Sequence, residues 1–200
     1  MIVRVIYRKE GLYMNIFVEK MKSKLESEDR INELSPKETL EKLGFKDGMI
    51  LCDIGAGTGL FSNIAAKISS NSIYALDISD DMLEYLEEKK KELSLSNLIP
   101  TKVVGDTLPL ESEKADLAIM VTVLHEVNNQ KEMLKEIKRV IKEDGRAFIV
   151  EFHNSETPFG PPLSRRIDSK DLISLSKEAG FTKVEEINLG VNMYGIILEK

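Results

Sequence analysis

Residues 49–59 read MILCDIGAGTG, an apolar run that passes directly into three closely spaced glycines. Near-continuous hydrophobicity over so short a run is typical of a strand that is buried on both faces of a sheet. Glycine lets the backbone turn sharply and approach a ligand closely, so a tight turn is expected after residue 54. A helix is expected at residues 58–68, and the stretch therefore predicts a strand–turn–helix unit.

The same alternation of short apolar runs and charged segments continues along the chain. Further strands are expected at residues 72–77, 101–104, 115–122 and 147–152, and further helices at residues 36–43, 80–93, 129–141 and 168–180. Two closing strands, 181–189 and 192–199, are joined by a tight link and are expected to pair as a hairpin. Alternating strands and helices predict an α/β, doubly wound fold, with a mostly parallel sheet, helices on both faces and right-handed crossovers.

The length of 200 residues suits one domain with an appendage. Residues 1–13 are expected to be an N-terminal extension, because Met14 offers an alternative start. Residues 14–48 are expected to form a helical cap and residues 49–200 the main domain. The stretch 154–168 holds three of the six prolines, and so long a loop is typical of a cover over a functional site.

The composition narrows the classes of function. The formal net charge is −6, which disfavours a protein that grips nucleic acid through phosphates. Cys52 is the only cysteine, so an intrachain disulfide and a cysteine-based zinc cage are excluded, and with two histidines no metal site is expected. No apolar run reaches the ~18–20 residues that span a bilayer. Without a secretory signal or a disulfide pair, we expect a cytoplasmic location.

The glycine turn after the first expected strand is a candidate ligand site. Free N–H groups at the start of the following helix suit a phosphate or a carboxylate. The spacing is Gly-x-Gly-x-Gly, and Leu60 stands where the dinucleotide pattern Gly-x-Gly-x-x-Gly needs its third glycine. A phosphate-binding Walker loop is excluded because no Gly-Lys-Ser/Thr follows. A plain tight turn without a ligand remains the alternative.

Carboxylates follow the next two expected strands. Asp77 can accept hydrogen bonds from both hydroxyls of a ribose, and Asp106, after Gly105, can accept one from an exocyclic amine such as that of adenine. A helix cap is the alternative for Asp77, and a simple turn residue is the alternative for Asp106. In a parallel sheet ligands bind at the carboxyl ends of the strands, where these groups are expected to meet.

Four segments together carry a family resemblance: LCDIGAGTG (51–59), YALDIS (74–79), VVGD (103–106) and ADLAIMVTVLHEV (115–127). Their order and spacing over about residues 35–200 resemble those of the class I S-adenosylmethionine-dependent methyltransferases. The segment EFHNSETPFGPPLSRRI (151–167) is similar to small-molecule methyltransferases related to the ubiquinone and menaquinone biosynthesis enzymes. The resemblance implies a seven-stranded sheet whose last strand lies antiparallel beside the fifth.

The resemblance also implies a role for each residue of the cofactor site. Gly55 and Gly57 would face the methionine part of S-adenosylmethionine, with Asp53 ordering their loop and Ala56 standing where relatives often carry cysteine. The remaining assignments are Asp77 to the ribose, Ile78 to packing on the adenine, Gly105 and Asp106 to the adenine amine, the Thr107 backbone N–H to the same ring, and Val121 to the border of the sulfonium.

Two histidines are candidates for acid–base chemistry. Methyl transfer needs a base only when the nucleophile still carries its proton. His125 follows the fourth expected strand. His153 follows the fifth, and Glu151, two residues earlier, is expected to point to the same face as His153. A structural role is the alternative for both histidines, and for Glu151 it is the expected role. Arg165 and Arg166 are candidates for contact with an anionic acceptor or are solvated charges.

Four functions fit these features. The first is a methyltransferase that acts on a small-molecule acceptor by in-line displacement. The second is a methyltransferase acting on RNA or protein, which the acidic composition disfavours. The third is a non-catalytic module that binds S-adenosylmethionine, and the fourth is a nucleotide-dependent dehydrogenase, which the missing third glycine disfavours.

Overall fold

The computed structural model describes residues 16–200. Within these residues the helices are α1 (Ile16–Leu25), α2 (Glu28–Leu34), α3 (Pro36–Lys42), α4 (Ser62–Ile68), α5 (Asp80–Glu92), α6 (Gln130–Val140) and α7 (Ser169–Glu178). The strands are β1 (Leu51–Ile54), β2 (Ile73–Asp77), β3 (Leu98–Lys102), β4 (Ala115–Val121), β5 (Ile141–Phe152), β6 (Lys183–Asn188) and β7 (Met193–Glu199). The expected extension at 1–13 lies outside the described residues.

The strands form one seven-stranded sheet in the order β3-β2-β1-β4-β5-β7-β6. All neighbours from β3 to β5 pair in parallel, whereas β7 pairs antiparallel with both β5 and β6. The chain order reverses between β1 and β4, so the ends of these two strands form the switch point where ligands bind in such sheets. The sheet confirms the doubly wound fold class and the antiparallel last strand that the sequence predicts.

Hydrophobic cores lie on both faces of the sheet. Cys52 and Ile54 of β1 contribute to the core that contains residues of α6 and α7, while Leu51 contributes to the core that contains residues of α3, α4 and α5. Successive residues of a strand point to opposite faces, which explains why β1 is apolar almost throughout. Helices therefore cover both faces, as predicted.

Two strand boundaries differ from the sequence prediction. The third strand is Leu98–Lys102 rather than 101–104, and it includes Pro100. Proline is tolerated there because β3 is an edge strand, with one side free of ladder hydrogen bonds. Val104 is 79% exposed and forms only an isolated bridge with Thr107. The fifth strand begins at Ile141, directly after α6, and its register with β4 shifts near Ala115.

The N-terminal helices are attached to the sheet domain at several points. Leu34 and Leu40 are buried in the same core as Leu51, and Val18 of α1 packs on Met82 of α5. None of the helices within residues 16–200 has the length and apolar character needed to cross a membrane.

Candidate active site

A cavity of about 910 Å³ lies at the carboxyl ends of β1, β2, β4 and β5. We refer to it as the strand-end cavity. The turn after β1 and the segments after β2 and β4 form its floor. Residues of α1 and α2 and of the proline-rich loop after β5 form its other walls. The site thus lies at the switch point, and both the expected helical cap, 14–48, and the loop at 154–168 contribute residues to it.

The glycine turn after β1 needs glycine for two separate reasons. Gly55 and Gly57 have φ values of 73° and 54°, in the left-handed region that favours glycine. A Cβ atom on Gly55 would lie 2.5 Å from Cγ2 of Val123. The amides of Gly55 and Ala56 donate to the Leu76 carbonyl oxygen at 2.8 and 2.9 Å, which fixes the turn against β2.

Asp53 lies beneath this turn and holds the start of the next helix. Its Oδ2 accepts hydrogen bonds from the amide of Ser62, at 3.1 Å, and from the Ser62 hydroxyl. Helix α4 accordingly begins at Ser62, later than the sequence predicts. The pKa of Asp53 is raised to about 7, mainly by burial; the two Ser62 hydrogen bonds oppose this rise and the charge of Asp77 adds to it.

Asp77 connects the end of β2 to the glycine turn. Its Oδ2 accepts from the Gly57 amide at 2.9 Å, and its Oδ1 accepts from the Ser79 amide at 2.8 Å. The Ser79 hydroxyl accepts from the Met82 amide at 3.4 Å and caps α5. The carboxylate lines the strand-end cavity, and each oxygen keeps lone pairs beyond its backbone partner.

The residues expected around the adenine lie along the same wall, with one exception. Ile78 is 73% exposed and lines the cavity, as do Gly105 and Asp106. Thr107 is not among the lining residues, because its backbone bridges to Val104. Val121 lines the cavity at the end of β4.

His125 forms a buried pair with Glu151. The histidine lies in a short 3₁₀ helix, Leu124–Glu126, and its Nδ1 is 2.7 Å from Oε2 of Glu151. The backbone amide of His125 donates to the other carboxylate oxygen at 3.1 Å. The side chains of His125 and Glu151 are 5% and 1% exposed, and His125 lines the strand-end cavity. We assign the proton to Nδ1, because it faces a carboxylate, and this leaves Nε2 as an acceptor.

The structure separates His153 from this arrangement. Its Nε2 lies 3.3 Å from the Gly190 carbonyl oxygen, and its ring is 5.6 Å from that of Tyr194. His153 is not among the residues that line the strand-end cavity. Its expected part in the acceptor pocket therefore has no support in the geometry, and Glu151 pairs with the other histidine.

Two cavity residues have no recognisable signal in the sequence. Arg30 of α2 is buried, and its Nη2 donates to Oγ1 of Thr122 at 2.9 Å. Burial lowers the pKa of Arg30 to about 10, against the opposing effects of the Glu151 and Glu33 charges. Thr122 has a φ of 56°, a strained value for a β-branched residue and one that tends to occur at functional sites.

Arg166 fastens the proline-rich loop that covers the cavity. Its Nε donates to the Pro161 carbonyl oxygen at 2.9 Å, its Nη1 to the His153 carbonyl oxygen at 2.9 Å, and its Nη2 to Oγ1 of Thr157 at 2.7 Å. The guanidinium also lies 5.4 Å from the Phe152 ring centre. Arg166 is therefore committed to the loop itself, whereas the exposed Arg165 lines the cavity. In residues 16–200 no cluster of side chains suits a metal ion.

Comparison with known proteins relates this chain to methyltransferases. A family model described as a methyltransferase domain matches residues 52–149. The ubiquinone/menaquinone biosynthesis C-methyltransferase of Psychromonas ingrahamii is 28% identical over 136 residues, which cover 65% of this chain and 52% of that protein. The enzyme of the same name from Klebsiella pneumoniae is 26% identical over 153 residues, which cover 74% of this chain and 59% of that protein. The chain thus spans only about half of the length of these relatives.

Solved structures agree with the family model. An S-adenosylmethionine-dependent methyltransferase from Aquifex aeolicus superposes with a TM-score of 0.82 at 26% identity, over 90% of this chain and 97% of that chain. The [4+2]-cyclase SpnF reaches 0.71 at 18% identity, over 84% of this chain and 81% of that chain, which shows a shared fold alone. Over the methyltransferase domain at residues 52–149, the chain is therefore similar to the class I S-adenosylmethionine-dependent methyltransferases, among them the ubiquinone/menaquinone biosynthesis C-methyltransferases, and this similarity implies S-adenosylmethionine as the cofactor.

Proposed function

We propose that this chain methylates a small-molecule acceptor inside the strand-end cavity and that His125 accepts the acceptor's proton. The observation that carries the proposal is the placement of the His125–Glu151 pair in the same cavity as the glycine turn and Asp77. The residues assigned to the cofactor and His125 therefore line one cavity, and the Nε2 of His125 lies 3.9 Å from Oε1 of Glu126, beyond hydrogen-bond distance.

The residues present fit S-adenosylmethionine. Gly55 and Gly57 line the cavity and carry no side chain, so their backbone can approach the methionine part of the cofactor. We assign the ribose hydroxyls to Asp77 and the adenine to the exposed face of Ile78, with the ring amine on Asp106. Asp53 keeps the turn in shape through Ser62. The other residues assigned to the cofactor are Ala56, Gly57, Gly105 and Val121.

The role of His125 follows from its tautomer. Glu151 holds the Nδ1–H, so Nε2 presents a lone pair that can take a proton from the acceptor. S-adenosylmethionine, when bound, supplies an activated methyl group on a sulfonium; the acceptor's electron pair attacks this methyl carbon, and the sulfur leaves as a neutral thioether. The Glu151 carboxylate, 2.7 Å from Nδ1, stabilises the imidazolium that results. His125 then returns its proton to solvent when the product leaves.

A small acceptor is favoured by the walls of the cavity. Phe159, Pro161 and Pro162 of the loop close one side, and Phe17 and Met21 of α1 close another. Walls of this kind exclude water and align a compact molecule, and positioning supplies much of the acceleration in a displacement reaction. The names of these relatives, which refer to C-methylation in ubiquinone and menaquinone biosynthesis, also support a small acceptor. The acidic net charge disfavours RNA.

A labelling experiment tests the proposed function. The purified chain is incubated with S-adenosylmethionine carrying a labelled methyl group and with a metabolite extract, and a size-exclusion filter separates the products. We expect label in the low-molecular-weight filtrate, where mass analysis identifies the product. Label confined to retained protein or RNA contradicts the small acceptor, and no transfer in any fraction contradicts the methyltransferase activity itself.

A further inference from the structure

Arg30 is a buried cation whose hydrogen-bonding capacity is mostly unused. The residue is 6% exposed and lines the strand-end cavity. Its Nη2 donates to Thr122 at 2.9 Å, and its Nη1 lies 4.0 Å from the sulfur of Met193, a weak acceptor. Its Nε is buried and has no hydrogen-bond partner within residues 16–200. A guanidinium offers five N–H donors, so most of those of Arg30 have no acceptor among the described residues and can donate to a ligand.

Burial of such a cation costs free energy unless a ligand supplies the missing charge and hydrogen bonds. A buried charge needs a partner and full hydrogen bonding to offset its desolvation. Within the part of the chain that the structure describes, no carboxylate lies within 4.0 Å of the Arg30 guanidinium. Glu151 and Glu33 favour its charge only from a greater distance. The unpartnered Nε and its neighbouring Nη atoms form the planar fork that binds a carboxylate through two parallel hydrogen bonds.

The position of Arg30 is built into the fold through Glu33, one turn further along α2. Oε1 of Glu33 accepts from the amides of Asn192 and Met193 at 2.6 and 2.9 Å. Oε2 accepts from the Asn192 side chain at 2.7 Å. These bonds fasten α2 to the start of β7. Arg30 is therefore held in place before any ligand arrives, which lowers the entropy cost of binding.

The contacts of Arg30 place it on the histidine side of the cavity. Thr122 directly follows β4, and Met193 begins β7 beside the end of β5. Glu151, whose charge raises the pKa of Arg30, is the residue that holds His125. The residue that lies against the glycine turn is Leu25 rather than Arg30, since a Cβ on Gly57 would lie 2.8 Å from the Leu25 side chain. The cation thus faces the expected position of the acceptor.

We infer that Arg30 binds a carboxylate of the methyl acceptor, so that the substrate is a small organic acid. The inference rests on the proposed function, because it places the acceptor in the same cavity. Two molecules there could supply a carboxylate, the acceptor and the methionine part of the cofactor, and the position of Arg30 beside Thr122 and Glu151 favours the acceptor. Arg30 then neutralises the acceptor's charge and orients it toward His125.

Binding of a simple acid to the loaded protein tests this without knowledge of the true substrate. The full chain is saturated with S-adenosylhomocysteine and titrated by calorimetry with benzoate or with benzamide, its neutral counterpart of the same shape. We expect benzoate to bind at least about tenfold more tightly than benzamide. Arg30→Gln should remove this preference and Arg30→Lys should keep part of it. The control Arg146→Gln, at an exposed arginine of β5 that pairs with Glu199 and lies outside the cavity lining, should retain it.

Three results would overturn the inference. The first is wild-type protein that binds benzamide as well as benzoate or shows no saturable benzoate binding, a result that needs no variant to fold. The second is a preference that survives in Arg30→Gln or is lost in Arg146→Gln. The third concerns the cofactor: Arg30→Gln would bind S-adenosylhomocysteine about tenfold more weakly than wild type does, but would bind 5′-methylthioadenosine, which lacks the carboxylate, with unchanged affinity. That result would show that Arg30 binds the carboxylate of the cofactor rather than that of the acceptor. Wild-type affinity for S-adenosylmethionine, measured first, tests the proposed function separately.

Discussion

The amide of Gly57 donates a 2.9 Å hydrogen bond to Oδ2 of Asp77, which joins the glycine turn after β1 to the end of β2. One carboxylate therefore shapes the turn and also faces the cavity in which the cofactor is expected. The other oxygen accepts from Ser79, at the start of α5. Three segments of the site depend on this single side chain.

Replacement of Asp77 by alanine should weaken S-adenosylmethionine binding by about 1.5–3 kcal/mol, the usual range for hydrogen bonds to a charged group. The control is Asp80→Ala, three residues further on, where the side chain is exposed and bonded to Lys102. Isothermal calorimetry gives both affinities. Equal affinity for Asp77→Ala and the wild type would remove Asp77 from the ribose.

A methyl group at Gly55 should abolish cofactor binding while the fold persists. Gly55→Ala introduces a Cβ 2.5 Å from Val123 at a φ of 73°. Gly44→Ala is the matched control, because Gly44 has a φ of 76° but a Cβ there meets nothing within 4 Å. Both variants carry backbone strain of about 1–3 kcal/mol. If the two lose the same affinity for S-adenosylmethionine, strain is the whole effect and the close approach at Gly55 is wrong.

The stability of the protein should depend on pH through Asp53. Its pKa is about 7 in the folded state and about 3.9 in the unfolded chain, so only the folded state keeps this proton between those values. This contribution is therefore full at low pH and is lost as pH rises through 7. In urea titrations, the difference in unfolding free energy between wild type and Asp53→Asn should shrink by about 2–3 kcal/mol from pH 5 to pH 8. Parallel curves for the two proteins would contradict the protonated Asp53.

Loss of the Glu33 carboxylate should release α2 from the sheet. Glu33→Ala removes three hydrogen bonds to Asn192 and Met193, at an expected cost of about 2–3 kcal/mol. We expect faster proteolysis within residues 16–34 and weaker acceptor turnover, with cofactor affinity nearly unchanged. Glu38→Ala, on the exposed face of α3, is the control. Equal proteolysis of the two variants would show that α2 is held by other contacts.

The sequence predicts most of the sheet and the cofactor wall, because these depend on local patterns. Gly55 directly follows β1, Asp77 ends β2 and Asp106 lies shortly after β3, and parallel strands bring their carboxyl ends to one edge. Ser79 caps α5 for an equally local reason. The third strand is one of two exceptions, since an edge position tolerates Pro100 and the apolar pattern alone does not reveal which strand is at the edge.

The acceptor side depends on contacts between distant parts of the chain. Arg30 and Thr122 are 92 residues apart, and Glu151 lies 26 residues beyond His125. In the sequence Arg30 is one of many charges in an amphipathic stretch, so its burial has no local signature. Glu151 lies in β5, whereas His153 follows the end of that strand and contacts Tyr194 and the Gly190 carbonyl oxygen, contacts that no local sequence pattern predicts.

The central claim is that His125 accepts a proton beside the bound cofactor. The direct test measures methyl transfer to the active low-molecular-weight extract fraction, and S-adenosylmethionine affinity, in His125→Ala and in the control His153→Ala. We predict that His125→Ala transfers about 10²–10⁴-fold more slowly with affinity within about twofold of wild type, and that His153→Ala transfers normally. Undiminished transfer by His125→Ala, or an equal loss in His153→Ala, would contradict the account.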